Sequence, residues 1–448
     1  MWLAPRKNVS NVAGLQVFNT LRFVVFLVVA IVFTKIGLSK EQIGLFEISV
    51  FMVNIASFFW VTGIIQAFLP LYKGSKTFGD LANEKKNKSP EIFNTYLVLI
   101  LFSLFVFFIG LIIQNNFSVF GIKGKAPLLN VTLWLLLLSS PANLVEYIYV
   151  VKNKSGNTLS YAYITYTIQL AAAIVPPILG YDVIWSLRGL VMVAIIRNIW
   201  LITLIYNYSR IQFSFPFIKE LLAIAAPLLI TSLISGSAQY IDGLVVSIHF
   251  DASKFAVFRY GAKELPFVIM LATGLSNAML TEFSTKENIR DSLQKIKRKS
   301  LRIMHSMFPL SIVLLFFADP LYKFMFTPEF TRSADIFVVY LLTILSRLLF
   351  PHTILMGLKK TRAVLIVAVI EVILNVSLSF WLVNHYGAVG VALATIIAYF
   401  VAKVVLVIYN YVRMNISPVE YIPVKWYIVY GVALGAVFIL LDRGIIVI

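Results

Sequence analysis

Cysteine is absent from the chain, which excludes disulfides, thiolate-ligated haem and Cys-based zinc sites together. Histidine is scarce: His249, His305, His352 and His385 stand far apart, without the H-x-x-x-H or H-E-x-x-H spacing of a metal site. Charged residues make up 13% of the 448 positions, about half the ~25% of a soluble domain. No GxxxxGK[ST] loop is present, so ATP is not the expected energy source. Long connections are missing too; the largest on one side, near 115–127, is about a dozen residues. Recognition must therefore be done by the apolar segments themselves. A glycan polymerase or ligase, which needs a sizeable outer loop for acceptor and donor, fits poorly.

Apolar residues, in contrast, fill 60% of the sequence, and the mean hydropathy is +0.89. They come in unbroken runs such as Phe23 to Phe33 and Val98 to Ile113, with no strand-like alternation. About 20 such residues span the ~30 Å hydrocarbon core as a helix, and inside lipid only a helix satisfies every backbone group of such a run. The fold class expected is an all-α polytopic membrane protein. Twelve transmembrane helices are predicted, near 11–35, 44–69, 92–114, 128–151, 159–181, 183–206, 221–247, 255–280, 303–326, 334–356, 363–385 and 388–412. A short thirteenth segment, 425–441, follows Pro418 and Pro423. The first run is too long for a cleaved leader and lacks a small-residue cleavage site, so it reads as a retained helix.

The 38 basic residues outnumber the 20 acidic ones, which in a soluble chain would suggest nucleic acid. Their placement says otherwise. One set of alternate connections holds 23 Lys and Arg, seven of them in 281–302, and the opposite set holds 8. That asymmetry predicts a cytoplasmic N-terminus and no nucleic-acid partner. The chain also repeats: Ile205-Tyr206-Asn207-Tyr208-Ser209-Arg210 ends the sixth span, and Ile408-Tyr409-Asn410-Tyr411-Val412-Arg413 ends the twelfth. The 203-residue offset and shared sidedness imply two parallel six-helix lobes, 1–206 and 207–412, followed by an extra segment, 413–448. Within the second lobe, 281–302 has Ile289, Leu293, Ile296 and Ile303 opposite Arg290, Lys297 and Arg298, the pattern of an interfacial helix drawn to anionic membrane lipid.

Ionisable residues inside spans cost at least ~2.5 kcal/mol each, so each is a functional candidate. The basic ones are Arg22, Arg188, Arg197, Arg259, Lys263, Arg347 and Lys403; the acidic ones are Glu47, Glu146, Asp242, Glu264 and Glu371. Arg188 and Glu47 lie near span ends, where snorkelling accounts for both. Glu264 beside Lys263 reads equally as a structural pair. Arg259 and Lys263, four apart on the eighth span, share a helix face. Pro176-Pro177, Pro227 and Pro266 mark bending points. The candidate substrate-binding cations are Arg22, Arg259, Lys263, Arg347 and Lys403, and the candidate ion-coupling carboxylates are Asp242 and Glu371. Several guanidinium forks in a wet cavity suit phosphate oxygens, hence an anionic cargo. A cation-coupled drug antiporter would favour carboxylates, whereas here seven cations face five.

Three stretches resemble the polysaccharide-transporter branch of the multidrug/oligosaccharidyl-lipid/polysaccharide (MOP) exporter superfamily, which includes the O-antigen flippases. They are Leu38 to Phe46, with its acidic residue, Gly44 and aromatic; Tyr240-Ile241-Asp242 with Ala256 to Lys263; and Asn375 with Tyr386 to Ala392. The resemblance runs from about 10 to 412. It implies alternating access by two lobes, an undecaprenyl-diphosphate-linked oligosaccharide as cargo, a bacterial cytoplasmic membrane, an H+ or Na+ gradient as driving force, and other glycan-assembly proteins as partners. It places cavity-lining cations at Arg22 and Arg259. Arg259 departs from the small or apolar residue common there, and the thirteenth segment departs from the plain twelve-helix plan.

Overall fold

The computed structural model describes residues 11–72, 88–113, 126–285 and 289–442. Ten of the basic residues counted above, Arg6, Lys7, Lys73, Lys76, Lys85, Lys86, Lys123, Lys125, Lys286 and Arg443, lie outside the described residues. The described chain is helical throughout, and the only extended pairing among those residues is an isolated bridge between Ser89 and Ser209. The chain is a multi-pass α-helical membrane protein.

It consists of two compact units. The first comprises residues up to Gly236 and Phe250–Ala256, and the second Ser237–His249 and everything from Val257. Residues 207–236 thus pack with the helices that precede them.

In the first unit, α1 (Asn11–Lys35), α2 (Lys40–Leu71) and α3 (Glu91–Ile113) are unbroken spans. The turn before α2 is sealed by a reciprocal cap. Ser39 accepts from the Gln42 backbone N–H at 3.2 Å, and the Gln42 side chain accepts from the Ser39 N–H at 3.1 Å. Gly44, just inside, touches another backbone: a Cβ there would lie 1.8 Å from the Ala252 carbonyl oxygen. The fourth span is broken. Its first piece, α4 (Ala126–Ala142), contains Pro141, and α5 (Leu144–Val151) resumes after Asn143. The spans α6 (Ser155–Ile178) and α7 (Val183–Tyr208) complete the set; α1 packs on α6, and α7 on both α4 and α6. The buried Asn94 fastens the exit from α7, donating to the Gln212 carbonyl at 2.9 Å and accepting from the Ser214 N–H at 2.9 Å.

The helix α8 (Phe215–His249) contributes to both units. The predicted eighth span is two helices, α9 (Ala252–Gly261) and α10 (Pro266–Thr285). Residue 265 precedes a proline, which disfavours the helical region, and the four residues 262–265 are non-helical. The predicted shared face of Arg259 and Lys263 therefore does not form. Gly261, at the end of α9, packs so closely that a Cβ would lie 2.3 Å from the Ser333 carbonyl.

No separate linker helix precedes the ninth span. The amphipathic stretch from 289 is the start of one 37-residue helix, α11 (Ile289–Met325). At 1.5 Å per residue it is ~55 Å long and must project well beyond a ~30 Å core. The buried Leu293, Ile296, Ser300 and Met304 continue the same seam as Phe308 and Leu315, which is why the chain does not break. The tenth span is fragmented into α12 (Arg332–Leu341), α13 (Ile344–Arg347) and α14 (Pro351–Gly357), with a 44° bend before α14. The 203-residue repeat carries Asn143, the break in the fourth span, onto Ser346 in this one. Both halves thus interrupt the corresponding span, although Ser346 itself is helical and the breaks of the tenth span lie on either side of it, at 342–343 and 348–350.

The last pair of predicted spans is α15 (Thr361–Met414), 54 residues that fold back at Gly387. There φ is 60° and ψ −141°, a conformation open in practice to glycine alone. A turn, α16 (Pro418–Tyr421), leads to α17 (Val424–Asp442), long and apolar enough to cross a membrane. It packs on α11 through stacked Phe308 and Tyr430 rings 5.3 Å apart, and the Tyr427 hydroxyl donates to the Leu345 carbonyl at 2.8 Å. Large side chains such as Phe105, Ile112, Phe317 and Ile373 are exposed on helix surfaces, as a lipid solvent requires.

Candidate substrate and ion-coupling site

The breaks decide where the buried charges sit. Glu264 lies in the gap between α9 and α10, and Arg347 is the last residue of α13. They meet as a fork: Arg347 Nε donates to Glu264 Oε2 at 2.7 Å and Nη2 to Oε1 at 2.6 Å. The guanidinium also lies over the Tyr399 ring, 4.7 Å from its centroid. Arg347 and Lys403 line one cavity of about 330 Å³, with Ser276, Asn277 and His352. Lys403 Nζ lies 3.1 Å from His352 Nδ1, and the ring's Nε2 lies 3.4 Å from Ser276 Oγ. Arg347 and Lys403 therefore share one cavity, and Glu371 lies on α15 (Thr361–Met414), the helix that also carries Lys403.

Asp242 is buried in the same unit. Its carboxylate accepts from the Thr395 hydroxyl at 2.5 Å and from the Tyr340 hydroxyl. Asn375 donates to Thr395 at 3.2 Å and accepts from Ser379 at 2.9 Å. The turn at Gly387 is what sets Asn375 and Ser379 opposite Thr395. This is a compact set of hard oxygen donors around one carboxylate, chemistry that suits a proton or an alkali cation. Among the described residues no three His, Cys, Asp or Glu side chains cluster as a metal site would require.

Arg259 lies in the last turn of α9, half-buried, and Lys263 in the break that follows; the walls of the 330 Å³ cavity form without them. Arg22 belongs to the first unit. It donates to Asn54 Oδ1 at 3.2 Å and borders a second cavity of about 100 Å³ with Glu146 and Arg197. Glu47 does not snorkel; it is buried, 8% exposed, on α2. Arg188 stacks on Trp185, 4.5 Å from the ring centroid.

A family described as polysaccharide biosynthesis protein matches residues 32–335. The chain belongs to this family. No curated protein matches it by sequence. Among solved structures, the lipid II flippase MurJ in an inward closed conformation is similar at 19% identity, with a TM-score of 0.67 over 96% of this chain and 93% of that one. An inward-facing multidrug resistance MATE transporter of the MOP superfamily is similar at 15% identity and a TM-score of 0.61, over 91% and 98%. A MOP superfamily transporter from Pyrococcus furiosus, whose structure is titled for the reverse polarity of its binding pocket, is similar at 14% identity and a TM-score of 0.53, over 90% and 94%. At these identities the likeness is one of fold, and the fold of this polysaccharide biosynthesis family member is that of the MOP superfamily.

Four residues now prominent were not among the binding and coupling candidates drawn from the sequence. Glu264 looks there like a partner of adjacent Lys263, yet its ion pair is with Arg347, 83 positions away. His352 carries no motif, and only its contact with Lys403 distinguishes it. Arg197 and Glu146 come together because Pro141 breaks the fourth span just before Asn143; a proline deep in an apolar run was the available signal.

Proposed function

We propose that this protein is a flippase that carries an undecaprenyl-diphosphate-linked oligosaccharide, an O-antigen or capsule repeat unit, across the bacterial cytoplasmic membrane by alternating access. The observation that carries the reading is the pair of cations, Arg347 and Lys403, lining a cavity between broken helices in a member of a polysaccharide biosynthesis family. Irregular backbone is tolerated at membrane depth only where protein or a wet cavity receives it, and in transporters such breaks mark binding sites. A lysine ammonium beside a guanidinium is chemistry for phosphate oxygens. The prenyl tail stays in lipid. Asp242 and Glu371 are the coupling carboxylates, served by an H+ or Na+ gradient, and Arg22, Arg259 and Lys263 supply further positive charge along the path. The N-terminus is cytoplasmic, and enzymes that build and polymerise the glycan are the expected partners.

Deleting the protein from its own cell tests this. The lipid-linked repeat unit should accumulate in a form that periodate applied from outside does not oxidise. An unchanged lipid pool, together with new sensitivity to cationic dyes, would instead identify a drug antiporter.

A further inference from the structure

The basic stretch that opens α11, to which the transport reading gives no task, forms one wall of a groove. The other wall is α16, and the volume between them is about 480 Å³. That falls within the ~300–1,000 Å³ typical of small-ligand sites. Neither helix lines the cavity that holds Arg347 and Lys403, so the groove is a separate feature of the second unit.

Its charge is one-sided. Arg290, Lys297 and Arg298 face one carboxylate, Glu420. That acid is already engaged: its Oε1 accepts from the Ser417 N–H at 2.8 Å and caps α16. Lys297 is held in place by its Nζ, which donates to the Val419 carbonyl at 2.6 Å and keeps two of its three N–H groups for a ligand. The Lys295 ammonium pairs with Glu282 at 3.1 Å and takes no part in the wall. Leu293, Leu301 and Val419 add apolar surface to the same groove.

Depth decides what occupies it. Near its far end α11 carries an ion pair, Asp319 with Lys323, whose side chains are 43% and 59% exposed. Exposed charge does not rest in hydrocarbon, so the core ends at this pair. At 1.5 Å per residue, a ~30 Å core counted back from it ends between Lys299 and Ile303. His305, within two turns of that edge, touches Trp426 and Tyr430 of α17, side chains that favour the interface. Lys297 and Arg298 stand roughly 2–9 Å beyond the edge, at the level of a headgroup layer about 5–7 Å thick. Leu301 lies at the edge itself. A basic pocket between helices, at headgroup depth and beside apolar surface, has the chemistry that recognises a lipid phosphate. A soluble acidic segment would have to displace headgroups to reach it.

We propose that this groove binds an anionic phospholipid of the adjacent leaflet, its phosphate on Lys297 and Arg298 and its acyl chains leaving past Leu301. The bound lipid fastens α16, and with it the α17 that follows, to α11, alongside the stack of Phe308 on Tyr430. The occupant is a resident lipid of the bilayer, and its binding does not depend on what the protein transports.

Thermal melts of the purified full-length protein in detergent, read by tryptophan fluorescence, test it with dioleoyl phosphatidylglycerol or dioleoyl phosphatidylcholine added to the micelles. At about ten times its dissociation constant, phosphatidylglycerol should raise the midpoint about 3–6 °C more than phosphatidylcholine does. Arg298→Gln leaves the bond from Lys297 to Val419 in place and should remove at least half of that difference. Lys299→Gln with Arg302→Gln removes more charge, but outside the groove, and should leave most of it. Native mass spectrometry gives a second reading that does not depend on stability. The wild type should retain one more phosphatidylglycerol than the Lys297→Gln, Arg298→Gln double variant. Equal shifts from the two lipids, or equal retention by wild type and double variant, overturn the proposal. A response that falls as far with Lys299 and Arg302 as with Arg298 also overturns it, since that is diffuse attraction to a charged surface. So does the same stabilisation from inorganic phosphate or polyglutamate without lipid, which would make the groove a site for a soluble anion or an acidic segment.

Discussion

The bidentate pair between Glu264 and Arg347 joins two broken spans, and Glu264→Gln probes it with little change of shape. The amide keeps one acceptor for the guanidinium but removes the charge that balances it. Removing one partner of a fully buried ion pair costs ~3–5 kcal/mol. Here the Glu264 side chain is 14% exposed and that of Arg347 33%. Water, together with the nearby Glu371, offsets part of the loss, so the expected destabilisation is about 2 kcal/mol. For a cooperative unit of roughly 200 residues each kcal/mol moves the melting midpoint ~2–4 °C, which gives a fall of about 4–8 °C. The assay is a thermal melt in detergent read by intrinsic tryptophan fluorescence; a chain without cysteine gives thiol dyes nothing to report. The double variant Glu264→Gln with Arg347→Met removes both charges and should regain at least half of the loss. A single variant within about 1 °C of wild type, or a double variant no better than the single, would refute the reasoning.

Gly44→Ala drives a methyl into the Ala252 carbonyl and should lower stability by about 1–3 kcal/mol, seen as a lower melting midpoint and reduced yield. Asp242→Asn should leave the protein folded, because the amide oxygen still accepts from one of the two hydroxyls and the amide NH2 can donate to the oxygen of the other, while transport in proteoliposomes loses its response to an imposed H+ or Na+ gradient. Single cysteines introduced into the cysteine-free chain report sidedness. At Gly37 or Lys254 they should react with an impermeant maleimide in intact cells, and at Lys219 or Lys359 only after lysis; the reverse pattern would invert the orientation.

The membrane architecture was legible in the sequence because apolar length is set by bilayer thickness, and twelve runs of that length with a thirteenth after Pro423 leave few alternatives. The interruptions were less legible. A helix broken at Leu348–Phe350 is as apolar as a continuous one, so hydropathy reads through it; Pro266 marked a bend in the eighth span but not that the four residues before it leave the helix, and the geometry of Arg259 and Lys263 was misplaced for that reason. Arg347 and Lys403 stood out in the sequence because burial in a span is costly for any charge. Their partners did not, since Glu264, His352 and Tyr399 are joined to them by tertiary packing that leaves no local pattern. Asp242 stood out as a buried acid; that Thr395 and Tyr340 satisfy it depends on how α15 reverses at Gly387, and one glycine in an apolar run does not announce a turn.

The most direct measurement is headgroup exposure in proteoliposomes loaded with undecaprenyl-diphosphate oligosaccharide, comparing the wild type with Lys403→Gln and Arg259→Ala. Protein-dependent exposure of the glycan, strongly reduced in folded Lys403→Gln, is the result predicted. No exposure above protein-free vesicles, with gradient-driven efflux of a cationic dye from the same preparation, would contradict it.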